Sequence, residues 1–323
     1  MTLFTSSRID SDLQVLLLNA ISSYKQGRSK SNSSKINFDE QFNSYLLREM
    51  SKRISLPDIS TLLQATEVRE YGLTLAKAGS VLDGEKAIES ARSICLQACL
   101  SREAFTISES FQAAAVAYIQ YKKKLYSEAC ESLLFSLKSC QILKDEYAYN
   151  VEVRRIHLVR NIVRVKLFSD SLDEATKLAS FMIRYIEGDD VFWPFPEQAL
   201  LSSPDLLEVE VRWVLLDQFL GEIALLLGKQ KAVARKLLEI IELYLFGGDF
   251  NVANDFLRVH IWMSAMRAFV EDDIVEFLNN ANIFFSEGPD YMYQAWQAIT
   301  IALNQVCNTI SPDKSLALNT EES

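Results

Sequence analysis

Residues 111–129 read Phe111-Gln112-Ala113-Ala114-Ala115-Val116-Ala117-Tyr118-Ile119-Gln120-Tyr121-Lys122-Lys123-Lys124-Leu125-Tyr126-Ser127-Glu128-Ala129. Apolar and small residues recur at helical spacing on both sides of the three lysines, with no proline or glycine in either arm. The spacing predicts one helix over 103–122 and a second over 125–142, joined by a tight turn. Working outward, the same period predicts helices over 10–26, 37–54, 58–80, 83–100, 146–168, 171–187, 204–228, 229–246, 250–270, 271–286 and 289–309, about thirteen in all.

Composition agrees with that reading. Gly and Pro together number 16 of 323 residues, about 5% where average usage is roughly 12%. No proline falls between Pro57 and Pro194. So few turn residues exclude a β sandwich, a propeller and a disordered chain, and they favour long helices. Helix starts are expected where Asp58 follows Pro57, at Asp83, at Ser171 before Asp173-Glu174, and at Glu271-Asp272-Asp273. Gly27, Gly188 and Gly288 sit where helices should stop.

A small residue opens the second helix of successive pairs: Ala87, Ala129 and Ala175, each followed at four and seven residues by a second and third inward position. These are Ala91 and Ile94, Leu133 and Ser136, and Ala179 and Met182, with spacings of 42 and 46 residues between units. Ala234, with Leu238 and Ile241, is a fourth candidate after a longer insertion. Small residues there let two helices approach closely. The stretch Phe111–Tyr118 leading to Leu125–Ala129 resembles a tetratricopeptide unit, with Ala117 in the first helix and an aromatic three residues before Ala129. The likeness covers residues 83–187, although the family's Trp, its Gly-Tyr pair and its closing Pro are missing. It implies an all-α, right-handed solenoid of antiparallel helix hairpins, with a concave groove that holds protein segments.

Three parts are expected along the chain. Residues 1–56 form an N-terminal helical segment with a polar loop at 27–35, residues 57–309 the helical-repeat domain, and 310–323 a flexible tail. Within the second, residues 188–203 interrupt the helical run with prolines and aromatics. Phe192, Trp193 and Phe195 of that insertion either plug the core beneath a loop or form an exposed docking epitope, and the cost of wetting so many aromatics favours the core.

Charge is unevenly spread. The chain carries a net −10: residues 1–56 have +3, residues 57–186 have +1 and residues 187–323 have −14. An acidic C-terminal part repels phosphate, which argues against a nucleic-acid binder. No apolar run approaches the roughly 18 residues of a membrane span, and no basic flank leads into an apolar stretch as in a signal peptide. Five cysteines do not make a disulfide framework, so a cytoplasmic address is expected.

Recognisable chemistry is absent. The sequence holds no phosphate loop and no nucleophile elbow, and its two histidines, His157 and His260, lie far apart. No metal site and no cofactor are therefore expected. Cys95 and Cys99 read as small apolar core residues. Asp272-Asp273-Ile274-Val275-Glu276 has the spacing that helical terpene cyclases use for magnesium. Here it opens a helix, where carboxylates favour the dipole in any case, and no second metal motif follows.

One pattern points to binding. On a helical wheel with Arg154 at zero, Arg160, Arg164, His157 and Asn161 fall at about 240°, 280°, 300° and 340°, one stripe roughly 120° wide. Apolar residues occupy two further arcs of the helix. Arginine forks and an Asn amide suit carboxylates, as in tetratricopeptide domains that clamp acidic peptide ends. The same arginines could instead pair with acidic neighbours as an internal network. The reading is a non-catalytic scaffold or adaptor whose partner is a protein or peptide with an acidic segment. Its rivals are a peptide-sensing regulator and an all-helical enzyme or small-ligand carrier. A deep apolar pocket with a perturbed carboxylate would mark the carrier, and a long groove the adaptor.

Overall fold

The computed structural model describes residues 4–30, 38–169, 171–188, 193–195, 208–229, 234–246 and 257–310. Among these, every regular element is helical. In chain order they are α1 (Phe4–Lys30), α2 (Phe38–Arg53), α3 (Leu56–Lys77), α4 (Val81–Gln97), α5 (Arg102–Lys122), α6 (Tyr126–Asp145), α7 (Glu152–Phe168), α8 (Leu172–Glu187), α9 (Val209–Lys229), α10 (Ala234–Phe246), α11 (Leu257–Val270), α12 (Ile274–Ser286) and α13 (Tyr293–Ile310). The all-α expectation holds. Of the expected tail at 310–323, Ile310 ends α13 and the rest lies outside the described residues, as does most of the 188–203 insertion, Phe192 included.

The chain divides into two compact units. The first comprises residues 1–36, 183–192 and 202–323, and the second residues 37–182 and 193–201. The sequence reading grouped 1–56 as one N-terminal segment, but α1 and α2 fall in different units.

In the second unit, α3 packs on α4, α4 on α5, α5 on α6 and α6 on α7, while α3 also touches α5. Tight turns make this possible. After α3, the amide of Ser80 donates to the carbonyl of Leu75 and that of Gly79 to Ala76, at 2.9 and 3.2 Å. Gly79 has a φ of 97°, which a residue without Cβ adopts at little cost. Lys124 after α5 and Asp272 after α11 close their helices with the same pair of bonds. Ser55 starts α3 by accepting from the Asp58 amide, with Pro57 in the first turn.

The α3–α4 pair meets glycine to glycine. A Cβ on Gly72 would lie 2.8 Å from the Gly84 carbonyl oxygen, and one on Gly84 would lie 2.6 Å from the Gly72 oxygen. This corrects the register of the small-residue pattern. In α4 the buried positions are Gly84, Ile88, Ala91 and Cys95, rather than Ala87, Ala91 and Ile94. Glycine, not alanine, fills the small position because the α3–α4 contact leaves no room for a methyl. With that shift one spacing of buried positions recurs. It gives Ala129, Leu133, Ser136 and Cys140 in α6, Ala175, Ala179, Met182 and Ile186 in α8, and Ala234, Leu238, Ile241 and Leu245 in α10. Polar bonds fasten the layers: Gln112 Nε2 donates to the Ile88 carbonyl at 2.8 Å, and the Ser136 hydroxyl donates to the Ser110 carbonyl.

In the first unit α1 packs on α12, α9 on α13, and α11 on α12 and α13. Tyr24 and Phe285 meet edge to face at 5.4 Å, and Phe285 meets Trp296 at 4.6 Å. Gly27 does not end a helix, as the sequence suggested, because α1 continues to Lys30. The glycine serves close approach instead: a Cβ there would collide with the Phe285 carbonyl oxygen. The first turn of α13 is held from two helices. Asp217 of α9 accepts from the amides of Gln294 and Ala295 at 2.9 and 2.8 Å, and the Trp262 indole of α11 donates to the Ala295 carbonyl at 3.1 Å. Trp262 and Trp296 are core residues.

Candidate functional site

The start of α7 is set by the segment before it. Tyr149 is buried, donates through its hydroxyl to Glu103 at 2.7 Å, and carries the Arg53 guanidinium over its ring at 4.9 Å. Burial and the carboxylate neighbour push the Tyr149 phenol well above its ordinary value. The amide of Asn150 donates to the Tyr45 hydroxyl of α2 at 2.8 Å. From Glu152 onward the sequence alternates so that Ile156, Leu158, Val159, Ile162, Val163 and Val165 are all buried. Two sides of α7 are thereby sealed in the unit, as the apolar arcs require.

The five predicted residues share the remaining face. Arg154, His157, Arg160 and Arg164 are half-buried, and Asn161 is exposed. Each of the four half-buried residues engages a partner within the fold. Arg154 lies over the ring of Phe111 at 4.4 Å, and its Nη2 donates to the Ser110 carbonyl at 3.4 Å. The Cys140 thiol is pushed up to about 11 by burial, partly offset by Arg154 and Arg155. Half-burial is chemically relevant, because a guanidinium partly withdrawn from water binds a carboxylate more strongly than one fully in solvent.

Arg155 is a charged residue that the stripe did not include. It is 0% exposed, pairs with Glu152 at 3.1 Å, and stacks its guanidinium on the Trp193 indole at 4.0 Å. Trp193 is only 5% exposed and meets the half-buried Phe195 edge to face at 6.0 Å. The indole thus covers a buried ion pair and does not face water. A signal for the pair was present in the sequence: on the same wheel Arg155 falls at about 100°, between the two apolar arcs, and Glu152 at about 160°, inside one of them, three residues apart.

Other expected features resolve simply. Cys95 is buried and accepts from the Ser108 hydroxyl at 3.1 Å, whereas Cys99 is exposed, beyond the end of α4. The core expectation therefore holds for Cys95 and fails for Cys99, which falls in the turn after the helix has ended. Asp273 caps α12 by accepting from the Glu276 amide at 3.0 Å, the role its helix-opening position implied. Among the described residues no cluster of His, Cys, Asp and Glu could hold a metal, and no helix is long and apolar enough to cross a membrane.

The first unit contains a cavity of about 920 Å³ between α9, α11, α12 and α13. Ala224, Phe269, Phe277, Ala298 and Ile301 are among its walls, and Gln294 and Gln305 supply polar points. Asp272, a carboxylate at its edge, is exposed on the turn before α12. No family model, no curated protein and no solved structure matches the chain.

Proposed function

We propose that the second unit is a non-catalytic scaffold that takes an acidic protein segment against the α7 face. In this reading the helix pairs from α3 to α8 form a tetratricopeptide-like, right-handed array of hairpins, and Arg154, His157, Arg160, Asn161 and Arg164 line its groove. The protein would then be an adaptor working in the cytoplasm. One observation carries the proposal: α7 is sealed on its apolar sides, while four cationic or imidazole side chains and one amide gather on the face left partly open. The recurring small buried positions of α4, α6 and α8 support the hairpin array. A fluorescent peptide rich in Asp and Glu, titrated by anisotropy, should bind the full-length protein. Its affinity should fall several-fold as salt rises, because part of the attraction is screened. A sequence-matched Lys-rich peptide should not bind. Equal binding of both peptides, or of neither, would count against the proposal.

A second reading belongs to the first unit. Its cavity has the size and apolar lining of small-ligand sites, which favours a carrier of an apolar molecule. Filling it with Ala298→Phe should weaken uptake of an environment-sensitive apolar dye about 10-fold or more, as expected when buried apolar area is lost. Unchanged uptake would remove this reading.

A further inference from the structure

Arg69 of α3 is buried to 4% exposure. Its Nη2 donates to the Thr66 hydroxyl on its own helix at 2.9 Å, and its Nη1 is buried without a hydrogen-bond partner among the described residues. Its guanidinium carbon lies 5.5 Å from the centroid of the Phe111 ring, and that of Arg154 lies 4.4 Å from the same centroid. One aromatic ring of α5 therefore has a cation from α3 and a cation from α7 within cation–π range. Burial lowers the Arg69 pKa to about 10, and the neighbouring Arg154 acts in the same direction. Glu70, the carboxylate acting on it, is exposed, and no carboxylate forms an ion pair with Arg69 among the described residues.

A dry guanidinium with an empty donor is unfavourable unless an opposite charge accompanies it. Cation–π attraction to Phe111 offsets only part of that penalty, and the second cation adds to it. A ligand oxyanion would satisfy the empty donor and screen the two charges from each other. The Arg69 fork suits a flat or tetrahedral group with several acceptor oxygens, and the Arg154 charge beside the same ring adds to the attraction. Phe42 of α2, 6.4 Å from the Phe111 ring, is half-buried, as are Phe111 and Arg154, so the cluster reaches the surface on that side.

We infer that Arg69, Phe111 and Arg154 form a subsite for a compact oxyanion, either a carboxylate or a phosphoryl group. The inference rests on α7 as a ligand-facing helix and gives its stripe an anchoring point on α3. Its chemistry differs from the rest of the stripe, because the anion is bound out of water rather than at a screened surface.

The test uses the full-length protein with inorganic phosphate or glutarate as probe, ionic strength being matched with sodium chloride. Either anion, at about 100 times its Kd, should raise the unfolding midpoint by about 5 °C. Arg69→Met should abolish that rise. Without added anion, its midpoint should equal or exceed the wild type's, because an uncompensated buried charge has been removed. A response to glutarate alone assigns a carboxylate, to phosphate alone a phosphoryl group, and to both a general oxyanion site. No response to either, a rise that persists in Arg69→Met, or a lower midpoint in that variant without anion overturns the inference. If Arg69→Met does not fold, side-chain nitrogen resonances decide instead. The anion should move the Arg69 and Arg154 signals of the wild type and leave that of the exposed Arg92 in place, and unmoved Arg69 and Arg154 signals overturn it. The Arg160→Glu/Arg164→Glu variant should keep the small-anion response, so failure of this subsite is distinguishable from failure of the α7 reading.

Discussion

Glu152→Ala is expected to destabilise the second unit by about 3–5 kcal/mol, since it leaves the charge of Arg155 buried without its carboxylate. The carboxylate is 3.1 Å from the guanidinium, and neither side chain has useful access to water. Stacking on Trp193 does not replace the lost charge, because cation–π attraction is worth only about 0.5–2 kcal/mol. The paired replacement Glu152→Leu with Arg155→Met should lie within about 1 kcal/mol of the wild type or above it, as apolar groups of similar size fill the site without a desolvated charge. Urea denaturation reports the difference. Of the four tryptophans, Trp193 belongs to the second unit and Trp213, Trp262 and Trp296 to the first, so the indole signal can be divided by Trp193→Phe. A single variant as stable as the wild type would mean that another group already neutralises Arg155.

Asp217→Ala should cost about 2–4 kcal/mol in the first unit. Asp217 is 3% exposed, and its two oxygens take the amides of Gln294 and Ala295 at the second and third positions of α13. Met292, just before that helix, has no side-chain oxygen to cap it, so the cap comes from α9 instead. The carboxylate also faces the positive end of the α13 dipole. Asp217→Asn keeps an acceptor and should lose less, about 1 kcal/mol. Near-ultraviolet circular dichroism of Trp262 and Trp296, which lie beside this turn, gives the readout during urea unfolding. Equal midpoints for Asp217→Ala and the wild type would show that solvent satisfies those amides.

Much of this was legible in the sequence, and the reasons are local. A helix interior needs only periodicity and an absence of breakers, so the run around Ala113–Ala117 and the Asp273 cap were readable from neighbouring residues alone. Gly27 was misread because a glycine that ends a helix and one that admits a neighbouring helix look alike until the neighbour is known. Here the neighbour is Phe285, far along the chain. The register of the first small-residue unit shifted for the same reason, as Gly84 answers to Gly72 on another helix. The basic stripe of α7 was readable as an angle on one helix. The Arg69 contribution was not, because it comes from α3 and is brought beside Arg154 by Phe111 on α5. Arg155 was legible in principle as a lone cation between two apolar arcs, with its carboxylate three residues earlier.

The central claim is that the α7 face recognises acidic segments, and charge exchange tests it most directly. Arg160→Glu with Arg164→Glu should weaken binding of the Asp- and Glu-rich probe at least about 100-fold, since charge-assisted bonds contribute roughly 1.5–3 kcal/mol each. The same variant should gain measurable affinity for the Lys-rich probe while keeping its helical circular dichroism. Loss of the fold would instead mean that these arginines serve an internal ion network. Acidic-probe affinity unchanged in a folded variant would contradict the account.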